Sequence, residues 1–117
     1  MEEENKFKVR EILIRMFEVK HEDIVFMNSR KKKNIDARKF YNYYLYKHKG
    51  VNHNQMKKHI YGMHHATSIH FKNKIEFEFK LYPEIVNDWN TFLFFADHDL
   101  WMELETIKKF REEFLNK

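Results

Sequence analysis

Apolar residues recur at three- and four-residue spacing along most of this chain, the period of helices with one buried face. Val9, Ile12, Leu13, Met16 and Phe17, with charges between them, predict a first amphipathic helix over Asn5 to Glu18. In Val19 to Met27 the acidic pair Glu22 and Asp23 suits a first turn and Ile24, Val25 and Phe26 supply core contacts, so a short second helix is expected there. Ser29 to Asn34 holds no apolar residue and reads as a solvated loop. The third helix then opens at Ile35 and Asp36, with Asp36 as N-cap, and runs to His48. Its expected inward face is Phe40, Tyr44 and Leu45 with Tyr41 beside them, and Gly50 is its left-handed C-cap.

Asn52 caps an expected short helix from His53 to Ile60 whose inward residues are Met56 and Ile60, and Tyr61-Gly62-Met63 forms a tight turn. A further helix starts at His64 or His65, runs through Ile69, Ile75 and Phe79 toward Leu81, and stops before Pro83, which disfavours helix at Tyr82. Beyond it Ile85, Trp89, Phe92 and Leu93 keep helical spacing. Leu100, Leu104, Ile107, Phe110 and Phe114 form a last stripe, capped by Asp97 or Asp99. The expected fold is a compact, all-α, multi-helix single domain over 1–117. Two short helices joined by a glycine-containing turn give it a helix-turn-helix, and 97–117 adds an amphipathic helix at the C-terminus.

Composition narrows the chemistry. A chain of 117 residues supports one core, and 12 Phe with 6 Tyr supply large side chains to fill it. Two Gly and one Pro leave no glycine-rich phosphate loop, so no nucleotide is expected. With no cysteine there is no disulfide, thiolate nucleophile or cysteine zinc site. The acidic start, and the charges Arg10, Glu11 and Arg15 within the first apolar run, fit neither a secretory segment nor a membrane span. A cytoplasmic protein without membrane contact is the expectation.

Charge is divided sharply. Ser29 to Lys74 carries twelve Lys and Arg against one acidic residue, Asp36, and six of the eight histidines lie in the same stretch. A basic centre between acidic flanks suits phosphate binding, because neutralised phosphates release counterions. His59, His64, His65 and His70 have no acidic or cysteine companions at metal-ligand spacing, and no carboxylate pair or nucleophile with a base stands out. Neither a metal, another cofactor, nor an enzymatic activity is expected.

Several segments together resemble the C-terminal DNA-binding domain, domain IV, of the bacterial replication initiator DnaA. Gly62-Met63-His64-His65-Ala66-Thr67-Ser68-Ile69-His70 matches the family signature at Gly62, His65, Thr67 and His70. Arg30 to Lys33 resembles the family's basic loop, Arg38 its arginine at the start of the long helix, and Val19 to Ile24 the short helix before the loop. The similarity runs from Lys6 to Phe92. Met63, His64 and Ala66 depart from the family's arginine, aspartate and Ser/Thr, so its usual DNA box is not carried over. The ATPase module is also missing, which points to a free-standing DNA binder, of phage or mobile-element origin.

Arg30 is then the candidate for the minor groove, where narrow A·T tracts concentrate negative potential. Lys31, Lys32 and Lys33 are candidates for phosphates, and Arg38 and Lys39 for phosphate or base. His64, His65, Thr67 and Ser68 are candidates for base edges, with capping the alternative for His65 and Thr67. His70 is read as a phosphate ligand or, preferred slightly, a satisfied interior histidine. The expected function is double-stranded DNA binding in replication initiation or transcription regulation, with a homodimer through the C-terminal helix. The alternative is a protein-interaction module that reuses the same scaffold.

Overall fold

The computed structural model describes residues 2–27 and 30–97, together with 109 and 112. Of the predicted C-terminal helix past Asp97 only Lys109 and Glu112 are described, both helical and exposed, and its Leu100 to Phe114 stripe with the dimer contact expected of it lies outside the described residues. Five α-helices follow one another: α1 (Glu2–Phe17), α2 (His21–Val25), α3 (Lys32–His48), α4 (His65–Leu81) and α5 (Pro83–Asp97). One 3-10 turn, Met56–Lys58, stands between α3 and α4, and no strand occurs among the described residues. No helix among them is long and apolar enough to cross a membrane.

Local chemistry explains the corners. Glu18 takes a left-handed φ of 55° at the end of α1, which lets the Val19 N–H donate to the Ile14 carbonyl at 3.2 Å. Asp23 accepts from the Lys20 N–H at 3.0 Å and fixes the start of α2. At the other end of the chain Tyr82 is extended (φ −124°, ψ 100°) ahead of Pro83, as the pre-proline clash requires.

α3 begins earlier than its pattern suggested. Lys32, Lys33 and Asn34 form its first turn instead of a loop, Asn34 is buried, and Lys31 rather than Asp36 is the N-cap. Asp36 instead accepts a hydrogen bond from the Lys32 ammonium at 2.8 Å, one turn along the helix. Lysine is a good helix former, so a run without apolar residues does not by itself break a helix.

The larger correction concerns how α3 is enclosed. Every residue from Ala37 to Leu45 is buried, so this part has no solvent face at all. α1, α2 and α4 pack around it, and α5 closes the assembly against α1 and α4. Trp89 of α5 seats its ring against Phe40 and Tyr43, each at 5.2 Å between centroids, and against Phe92 at 5.3 Å.

The predicted helix from His53 to Ile60 shrinks to a turn followed by Met56–Lys58. Asn52 does act as a cap, its Oδ1 accepting from the Gln55 N–H at 2.9 Å, and Met56 and Ile60 are fully buried as expected. Eight residues that include Asn54 and two histidines are too short and too weakly helical to nucleate a regular helix. Two buried anchors suffice to hold the segment. In α4 the inward residues are Ser68, Phe71 and Ile75, while Ile69, one of the apolar positions that marked the helix, is exposed.

Candidate nucleic-acid interface

Two basic segments far apart in sequence leave adjacent points of the backbone. Phe26 and Tyr61 form a parallel bridge, with the Tyr61 N–H donating to the Val25 carbonyl at 2.6 Å and the Met27 N–H to the Tyr61 carbonyl at 3.1 Å. One arm continues past Met27 toward Arg30 and Lys31, and the other passes Gly62 into α4. Gly62 is left-handed (φ 84°), and a Cβ there would stand 3.4 Å from Cβ of Met27.

Most of the candidate residues lie on the surface. Arg30, Lys31, Lys32, Lys33, His64, His65 and His70 are exposed, and Thr67 is half-buried. Exposure of His70 overturns the preference for an interior histidine. Lys33 donates to the Glu18 carbonyl at 3.1 Å and so also closes the end of α1. A hydrogen bond to Asp36, and then the carboxylate's charge, hold the Lys32 ammonium above its ordinary pKa. His64, not His65 or Thr67, caps α4, its Nδ1 accepting from the Ala66 N–H at 3.2 Å. Its neutral ring then carries the proton on Nε2.

Three candidates lie in the interior. Arg38 is 2% exposed, and its Nε donates to the Asp23 carbonyl at 2.7 Å while Nη1 lies 3.6 Å from the Met27 sulfur. Lys39 is 3% exposed and pairs with Glu78 at 2.5 Å and Asp36 at 3.5 Å. Ser68 is fully buried, donates to Asn42 Oδ1 at 2.9 Å and lies 2.7 Å from His53 Nδ1. Each is committed to partners in the fold. Arg38 and Lys39 turn inward because α3 has no outer face at that level, and Ser68 because α4 rests on α3 there.

Other surface groups join the same region without having been singled out. Lys57 and Lys58 stand exposed on the turn before Tyr61, and Ile69 and Asn73 share the outer face of α4 with His65 and His70. Between Asp36 and Glu76 the chain has no acidic residue, a signal that was available for Lys57 and Lys58. Ile69 and Asn73 carried no such signal, since only the packing of α4 reveals which of its faces is outermost.

No family model, characterised protein or solved structure matches this chain. Among the described residues no three His, Asp or Glu side chains gather closely enough to hold a metal ion. A cleft of about 400 Å³ lies between Phe17, Phe40, Glu78, Tyr82 and Asp88, and the Lys39 ion pairs border it. Of its charged groups, Lys32, Asp36, Lys39 and Glu78 pair with one another.

Proposed function

We propose that this protein binds double-stranded DNA. The observation that carries the reading is the Phe26–Tyr61 bridge, from which the exposed basic residues of 30–33 and 57–65 extend, Lys32 being paired with Asp36. Like charges held together in this way repel one another unless an anion joins them, and a phosphate backbone is such an anion. The resemblance to domain IV of the replication initiator supports the same surface, with α4 as the helix entering the major groove. Within this reading His65, Thr67, His70 and Asn73 face base edges, Arg30 enters the minor groove, and Lys31 to Lys33 with Lys57 and Lys58 meet phosphates. Arg38, Lys39 and Ser68 hold the scaffold and leave the set of DNA ligands.

Selection from random duplex DNA at about physiological salt tests this, followed by titration of the best site against a scrambled one. Enrichment of a motif that loses discrimination on His65→Ala or Thr67→Ala, by about 1–3 kcal/mol, is the expected result. Absence of any salt-dependent duplex binding would overturn it.

A second reading, a protein-interaction module, draws on the far end of α4. Phe77 is 60% and Leu81 51% exposed, one turn apart on the same face. Partner binding that survives neutralisation of Arg30 to Lys33 would favour it.

A further inference from the structure

The bridge that joins the two basic segments also carries two aromatic rings. Phe26 and Tyr61 stack at 5.2 Å between centroids with 25° between their planes, and 39% and 59% of the two residues remain in water. Each ring covers part of the other, and the pair still presents apolar surface outward. The backbone beneath the pair is held in place, because the N–H and the carbonyl of Tyr61 are both engaged by the bridge. An aromatic step fixed in place and left wet loses little freedom when something flat settles on it.

The charge around the step selects the occupant. Lys57 and Lys58 precede Tyr61, His64 and His65 follow it, and Arg30 and Lys31 follow Phe26, all exposed. Glu22 and Asp23, about one turn before Phe26, are the acidic residues near it in sequence, and Asp23 is engaged by the Lys20 N–H. A ligand that offers a flat apolar face and carries negative charge on a flexible backbone is a nucleotide strand. Inside a duplex both faces of a base are already stacked on neighbours, so away from a duplex end a ring platform can take only an unpaired base. We propose that Phe26 and Tyr61 form a stacking platform for an unpaired base, so that the basic surface engages DNA where a duplex gives way to a single strand. This rests on the duplex reading above and adds to it the kind of DNA preferred.

The test uses the full chain and two DNA probes with equal numbers of phosphates. One is a blunt duplex, and the other a duplex with a single-stranded extension of about six nucleotides, within the usual site size of one binding module. The extension carries a fluorescent adenine analogue that is quenched when stacked. Tighter binding of the extended probe by at least about fivefold is expected, the effect of stacking a single base, together with quenching. Tyr61→Ala is expected to remove both while leaving the blunt-duplex affinity unchanged, and Tyr61→Phe to keep both. The exposure of Tyr61 makes misfolding of these variants a minor concern, and a thermal melt of each checks it. Equal, salt-sensitive binding of the two probes would overturn the platform and leave the duplex reading standing. So would a preference for the extension that survives Tyr61→Ala. Failure to bind either probe at low salt would overturn both.

Discussion

Ser68, expected from the sequence to contact a base edge, instead completes a buried polar network. Its hydroxyl donates to Asn42 Oδ1, the Asn42 amide donates to the Ser68 carbonyl at 3.2 Å, and the His53 ring closes the group. Since the hydroxyl proton goes to Asn42, the His53 Nδ1–H is the donor to Ser68. Ser68→Ala strands an acceptor on Asn42 and a donor on His53, and should cost about 1–3 kcal/mol in urea unfolding with little change in affinity for DNA. Burial first, then the charges of Lys72 and His65, push the His53 pKa below its ordinary value. The unfolded chain therefore binds the proton more readily, and stability contributed by neutral His53 is complete above the ordinary histidine range. It declines as pH falls through that range toward the depressed folded value. Melting temperature should drop between about pH 7.5 and about pH 5.5, and His53→Gln should show a smaller drop over the same interval. The start of α4 at His64 or His65 was legible at this scale, but its cap was not, since His65 or Thr67 was expected and His64 supplies it. Nor was burial of Ser68, because it depends on Asn42, 26 positions earlier.

At the level of elements α3 organises the fold. Apolar spacing identified it and its inward residues Phe40, Tyr41, Tyr44 and Leu45, all buried. The same spacing assigned it one inward face, whereas its central nine residues are covered on every side. Lys39 consequently sits among Asp36 and Glu78 with its side chain 4% exposed. Removing one partner of a buried pair leaves an uncompensated charge. Lys39→Ala should destabilise the protein by roughly 3–5 kcal/mol, and Lys39→Met combined with Glu78→Leu should recover most of that loss. Recovery by the double variant would separate a scaffold role from a DNA-binding one, which it would not restore.

For the whole molecule the consequence of burial is a division among the basic residues. Lys57 and Lys58 stand exposed at the surface, while Arg38 and Lys39 are enclosed. Replacing Lys57 and Lys58 by alanine should leave the melting temperature nearly unchanged and flatten the salt dependence of duplex affinity by about 0.9 in logarithmic slope for each phosphate no longer neutralised. An unchanged slope would remove these two residues from the interface. The charge division that points to this surface was visible in the sequence, as were Met56 and Ile60 as anchors of an otherwise irregular segment. Its geometry was not, since Phe26 and Tyr61 meet from positions far apart in the chain.

The sequence by itself determined the helical class, the order of the described helices, the break at Pro83 and the basic centre of the chain. These follow from periodicity, capping and composition, which act over a few residues or none. Only the tertiary structure decided that Asn34, Arg38, Lys39 and Ser68 turn inward, that Ile69 and His70 turn outward, and that the two basic segments share a bridge. Periodicity describes the faces of a helix taken alone. How many of those faces are covered, and which distant segments share a hydrogen bond, depends on the neighbours that the folded chain supplies.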